Sequence, residues 1–237
     1  MRPAEARWIA QQLAALPPDQ ISPLVNIGSS TREFRERRQP HIEQLIFAPL
    51  RARGVEVIHT DLKPDDGVDI AGDLGDPQVQ AALRARRPRA ALTTNLLEHV
   101  PAPAELARAI GALVAPGGVV IATVPRSYPY HADPIDTGFR PAPGELAALF
   151  PGFALVRGEV VADSTYAAEL FGHGVAGLRT GVRGLVAAVR RRGEVARAYR
   201  DRLRWMFRPF TTSCIVLRRT GARGGDPADV SPEPAAG

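Results

Sequence analysis

The chain carries one cysteine, Cys214, and Lys63 is its only lysine; the rest of its 30 lysines and arginines are arginine. One cysteine excludes an internal disulfide and any zinc site built from several thiolates. So strong a preference for arginine reads more easily as genome composition than as nucleic-acid binding. No stretch approaches the roughly 18 consecutive apolar residues that a membrane-spanning helix needs. The first twenty residues have no uninterrupted apolar core, because Arg2, Glu5, Arg7 and Asp19 break it. A secretory signal is therefore not expected and cytoplasm is the expected compartment.

What is present is ordinary for a folded domain. Of 237 residues, 45% are apolar and 23% charged, which argues against wholesale disorder. The net charge of +5 is unevenly spread. Residues 179–223 hold 13 arginines against Glu194 and Asp201, so the remainder of the chain is acidic by six charges. A groove for a polyanion needs cations across the body as well, so nucleic acid is not an expected partner. The basic segment 166–208 has three readings. It is a lid over an anionic or lipid-linked substrate, a solvated helical face, or a weak contact with an anionic membrane surface through 178–208.

Apolar runs and helical patterns alternate along the chain. Residues 3–16 read as a helix stopped by Pro17 and Pro18. Short strands are expected at 24–27, 55–59, 68–71, 90–94 and 119–124, with helices at 42–52, 77–86 and 104–114. Such alternation means a parallel sheet covered on both faces. A Pro-, Tyr- and His-rich loop spans 125–143. A short helix at 145–150, a strand at 154–161, a basic helical insertion at 166–208 and a strand at 211–217 complete the domain. The tail at 220–237 is expected to be disordered.

In an open parallel sheet, ligands bind beyond the carboxyl ends of the strands, so the strand tips are where site residues are sought. The first tip reads Asn26-Ile27-Gly28-Ser29-Ser30-Thr31. It lacks the G-x-G-x-x-G triplet that seats a pyrophosphate on backbone N–H groups, and it lacks the Walker lysine. Its small residues still admit a ligand close to the backbone, which suits a nucleoside without phosphate; the bland alternative is a tight turn capped by Ser30 or Thr31. At the second tip, Asp61, followed by Leu62, offers two acceptors to a pair of ribose hydroxyls. At the third, Asp73-Leu74 offers an acceptor to an adenine amino group, and Asp76 caps the following helix. The fourth reads Asn95-Leu96-Leu97-Glu98-His99-Val100.

With these residues at successive tips, the chain resembles the class I S-adenosylmethionine-dependent methyltransferases over roughly residues 20–165, and again at 211–217. Gly28 matches the first glycine of the family's first motif, with Asn26 where an acid is usual. Asp61 matches its ribose acid, and Asp73-Leu74 match the adenine-contacting pair. Residues 95–100 match its "LEHV" segment and 113–118 its "L-x-P-G-G" turn. The resemblance implies a Rossmann-like, doubly wound α/β fold with a mostly parallel seven-stranded sheet and an antiparallel last strand. It implies one methyltransferase domain at 1–219, with S-adenosylmethionine bound by Asn26, Gly28, Ser29, Ser30, Thr31, Asp61, Leu62, Asp73, Leu74, Asn95 and Leu96. Some relatives with Glu-x-x-Glu-His at the fourth tip bind a divalent ion. Asn95 replaces the first of those carboxylates here, and hard cations prefer carboxylate oxygens, so no metal is expected.

Methyl transfer to a hydroxyl needs its proton removed. His131 is the first candidate, in a loop with Asp133 and Asp136, either of which would orient its imidazole; His99 is the next. Tyr128 and Tyr130 are candidates for an aromatic wall over the methyl group. The expected activity is O-methylation of a small molecule, a sugar or secondary metabolite. The alternatives are a nucleoside-binding module without catalysis, which the glycine-poor first tip favours, and an RNA methyltransferase, which the acidic body disfavours.

Overall fold

The computed structural model describes residues 1–130, 135–168 and 205–221. Its strands are β1 (Leu24–Ile27), β2 (Val57–Asp61), β3 (Ile70–Ala71), β4 (Ala90–Thr94), β5 (Val119–Ser127), β6 (Phe153–Thr165) and β7 (Pro209–Arg219). They form one sheet in the order β3-β2-β1-β4-β5-β7-β6. The first five strands run parallel, and β7 runs antiparallel to both β5 and β6. The strand order reverses between β1 and β4, so the crevice of a doubly wound sheet opens at their carboxyl ends.

The alternation of side chains along the strands divides the core in two. Leu24, Ala90, Leu92, Val119, Ile121, Cys214 and Val216 point to one face. There they meet Trp8, Ile9 and Leu13 of α1 (Pro3–Ala14), Ile21 of α2 (Pro18–Ile21) and the segment carrying α3 (Pro40–Ile42) and α4 (Ala48–Ala52). The intervening Val25, Ile27, Ala91, Val120, Ala122, Ile215 and Leu217 point the other way. They pack on α5 (Pro77–Ala85), α6 (Pro103–Leu113) and α7 (Pro143–Ala147), through Leu83, Ile110, Leu113 and Leu146. Cys214 is fully buried, and burial pushes its thiol up, so it serves as a small apolar core residue.

Several elements differ from the sequence pattern. β2 lies two residues later than the run at 55–59, because Val55 packs into the core from the turn before the strand. The helix at 42–52 is divided by a π turn, Glu43–Phe47. Pro49 has no N–H to give the carbonyl one turn back, which favours the wider turn ahead of it. β6 and β7 outrun their apolar cores because their antiparallel ladder continues to Thr165 and Pro209. The connection between them, 166–208, lies where the basic insertion was expected, but residues 169–204 fall outside the described ones. So do His131, Asp133 and residues 222–237. Among the described residues, no helix is long and apolar enough to cross a membrane.

Candidate active site

Four loops meet at the carboxyl edge of the parallel strands. In the first, Gly28 takes a left-handed φ of 69° and Ser30 one of 54°. A Cβ at Gly28 would lie 3.1 Å from Leu96, so the first and fourth loops touch here because residue 28 has no side chain. The N–H groups of Gly28 and Ser29 donate to Thr60 O, each at 3.0 Å. That of Ser30 donates to Asp61 Oδ2 at 2.7 Å. With these N–H groups engaged inside the protein, the loop has no row of donors for a phosphate, in keeping with a nucleoside that has none. Thr31 Oγ1 accepts from Phe34 N at 3.1 Å, so the capping role falls to Thr31 rather than Ser30.

Asp61 closes β2. Its Oδ1 accepts from Leu62 N at 2.8 Å while Oδ2 holds Ser30. Two backbone N–H groups fix the carboxylate plane at the mouth, and each oxygen retains a further lone pair. Leu62, 63% exposed, lies beside it at the rim. Asp73 Oδ1 accepts from Gly75 N at 2.8 Å, so Asp73 shapes its own turn, and Leu74 is buried in the core below. Asp76 caps α5 through Gln78 N at 2.7 Å. Asn26 is buried, with Nδ2 3.1 Å from His59 Nδ1, so it faces β2 rather than the mouth.

His59 carries a separate expectation. Desolvation, then the positive charge of Arg35, lowers its pKa to about 4. The unfolded chain, with a histidine value near 6.5, takes up that proton first. Stability from this group is therefore complete above pH ~6.5 and is lost as pH falls through ~4, by on the order of 3 kcal/mol. Denaturant unfolding of wild type and His59→Gln at pH 7 and pH 4.5 checks this, and the variant should lose less stability between the two.

Beyond β4 the site becomes acidic. Asn95 sits in the left-handed region at φ 49°, and its Nδ2 donates to Glu5 Oε1 at 2.9 Å. Thr123 Oγ1 donates to the same oxygen at 2.6 Å. Glu5, only 1% exposed, thus pins the start of α1 over the ends of β4 and β5. Trp8 Nε1 to Glu159 Oε2, 2.9 Å, ties the same helix to β6. Glu98 is 0% exposed, and among the described residues neither of its carboxyl oxygens has a well-formed hydrogen bond. Burial, helped by the negative charges of Glu5 and Asp136, raises its pKa to about 8; its own backbone N–H and Arg140 offset only part of this. His99 Nδ1 meets the carbonyl of Ile135, which makes Nδ1 the donor, and Nε2 lies 3.6 Å from Glu98 Oε1. Asp136 receives Arg140 Nη2 at 2.6 Å and Gly138 N at 2.8 Å. Tyr128 stacks obliquely on Phe210 at 5.1 Å, and Tyr130 is 73% exposed.

The structure therefore brings together the tips carrying Gly28 to Ser30, Asp61 and Leu96, and it turns Asn26 away. Glu5, Arg35 and the burial of Glu98 were missed from sequence. For Glu5 the available signal was an acid among apolar helix positions next to Ala6, Trp8 and Ile9. A separate groove of about 1000 Å³, lined by Arg108, Gly111, Phe153 and Arg219 among others, opens beside the opposite, amino-terminal edge of the parallel strands, away from these tips.

A family model described as a methyltransferase domain matches residues 6–157. A search of curated proteins finds no match. Among solved structures, the chain is similar to a protein from Galdieria sulphuraria assigned as a sarcosine dimethylglycine methyltransferase. That similarity has a TM-score of 0.53 at 13% identity and covers 91% of this chain and 84% of that one. It is also similar to coclaurine N-methyltransferase bound to N-methylheliamine and S-adenosylhomocysteine. Here the TM-score is 0.51 at 10% identity, over 90% of this chain and 69% of that one. At such identities these two likenesses speak to the fold. With its family match spanning well over half of the sequence, the chain belongs to the methyltransferase domain family and is an S-adenosylmethionine-dependent methyltransferase.

Proposed function

We propose that the enzyme methylates a small molecule, at an oxygen of a sugar or secondary metabolite, with its cofactor laid along the tips of β1 to β4. When bound, S-adenosylmethionine supplies a methyl group already activated on a sulfonium, so the protein's task is alignment and proton removal. In this reading Asp61 accepts from the ribose hydroxyls. Asp73, Leu74 and Leu62 border the adenine. Gly28, Ser29, Ser30, Thr31, Asn95 and Leu96 line the rest, while Asn26 supports the first loop from behind through His59.

His131, with Asp133 or Asp136 to orient it, is the first group proposed to take the substrate proton. His99 with Glu98 forms a second proton-holding pair. The Nδ1–H of His99 is spent on Ile135, which leaves Nε2 facing the Glu98 carboxyl. The single observation that most supports a reactive site here is Glu98 itself. A carboxyl buried without a hydrogen bond costs stability, and buried polar groups without partners are rare in folded proteins. Acids so displaced gather at functional sites.

The reading is tested by incubating the enzyme with S-adenosylmethionine and a small-molecule extract and following masses. One metabolite should gain the mass of a single methyl replacing hydrogen, with S-adenosylhomocysteine formed in step. Turnover on RNA with none on any small molecule would overturn it.

A further inference from the structure

We propose that Arg35 is the positioning residue of the cofactor loop. It holds Ser30 in its left-handed conformation and, through Ser30, aims the Asp61 carboxylate at the ribose. The proposal rests on the assignment of Asp61 made above.

Arg35 is 4% exposed and lies one turn into the helical segment that follows the first loop. Its backbone N–H donates to Thr31 O at 3.2 Å, and its side chain curls back beneath the loop. Nη1 donates to Ser29 O at 2.9 Å and to Ser30 O at 2.6 Å. Nη2 donates to Gly67 O at 2.8 Å, in the loop between β2 and β3. One planar guanidinium thus ties two consecutive carbonyls of the first loop to a third carbonyl from the second. A lysine ammonium has no rigid fork with which to reach both directions.

The Ser30 residue is held from both sides. Its N–H is bound by Asp61 and its C=O by Arg35. Serine enters the left-handed region only when its surroundings fix it there, whereas glycine enters freely. Here Ser30 takes that conformation with an arginine beneath it. Gly67 completes the device. At φ 80°, a Cβ there would stand 2.7 Å from Arg35 Nη2, so the guanidinium can approach only because residue 67 is glycine.

Burial lowers the pKa of Arg35, and the negative charges of Glu43, Glu36 and Asp69 oppose that shift. Among the described residues no carboxylate comes within ion-pair distance of it. Burying a charge against carbonyl dipoles is a costly way to fill space. Three short bonds that tie the first loop to the second give it a purpose, because Asp61 holds the N–H of Ser30 in that first loop. If Ser30 relaxes, the Asp61 carboxylate loses its N–H partner and its orientation.

The test compares adenosine with 2′,3′-dideoxyadenosine, which lacks the hydroxyls that Asp61 would bind, by ligand-observed NMR on the full chain. Wild type should prefer adenosine by tenfold or more. In Arg35→Met that preference should fall to threefold or less while the affinity for the dideoxy ligand stays unchanged. Ser30→Gly in the Arg35→Met background should restore at least half of the preference on a logarithmic scale, because glycine needs no clamp. Arg35→Lys, which keeps the charge, provides the same comparison should the methionine variant not fold, and its preference should also fall. Arg35 variants that retain the full preference, or that weaken both ligands equally, overturn the proposal. A wild type that prefers neither ligand removes Asp61 from the ribose site, and the role of Arg35 falls with it.

Discussion

Asp61→Ala is expected to weaken S-adenosylhomocysteine by between about tenfold and 150-fold while the fold survives. Two ligand hydroxyls lose a charged acceptor, and hydrogen bonds to charged groups contribute about 1.5–3 kcal/mol. A second loss adds to the first, since Ser30 N would be left without the acceptor that holds its peptide. Asp61→Asn separates the two. Its carbonyl oxygen can keep Ser30 in place, but it offers the ribose an amide donor on one side, so affinity should fall with the loop intact. Calorimetric titration of the three proteins, with circular dichroism as the fold control, measures this. An unchanged dissociation constant in Asp61→Ala would move the ribose away from β2.

If the His99–Glu98 pair rather than His131 takes the substrate proton, Glu98→Gln should lower turnover by roughly 10²–10⁴, the range by which general acid–base groups accelerate reactions. The same change should stabilise the protein in alkali. The folded pKa of about 8 lies above that of an unfolded glutamate, so the folded state holds the proton longer. The contribution of Glu98 is therefore complete below pH ~4.5 and is lost as pH rises through ~8, by on the order of 5 kcal/mol. Glutamine carries no charge to desolvate. Glu98→Gln should thus melt higher than wild type at pH 9 and about equally at pH 4.5. As a proton acceptor Glu98 must be ionised, so the wild-type rate should climb with pH through about 8, and the variant should lose that limb. Full activity in Glu98→Gln, with its rise through pH 8 intact, would leave His131 and Asp133 as the proton-handling pair. A variant less stable than wild type at pH 9 would show that the buried carboxyl is satisfied in a way that glutamine cannot reproduce.

The parts of the molecule that could be read from the sequence were those governed by period and punctuation. β1 and β4 fall where the apolar runs place them, because strands buried on both faces contain little else. α5 and α6 follow from Asp76 and Pro77, and from Pro103 and the helical spacing after it. The ends of β6 and β7 were less legible, since antiparallel pairing carries polar residues such as Asp163 and Arg219 that no hydrophobic pattern marks. Asp61 and Gly28 could be named because a strand tip fixes where they stand. Arg35 could not, since its function depends on a side chain doubling back across a loop and on the missing Cβ of Gly67. Glu98 stood in view as part of a recognised segment. Its exclusion from water became visible only once α1, the loop at 135–140 and β4 were placed around it.

A crystal structure of the enzyme with S-adenosylhomocysteine tests the assignment of the site most directly. The ribose hydroxyls are expected within hydrogen-bond distance of both Asp61 oxygens, with the adenine beside Asp73 and Leu74 and Ser30 still left-handed above Arg35. A nucleoside seated in the groove beside Arg108 and Arg219, or one at the strand tips whose ribose faces away from Asp61, would contradict it.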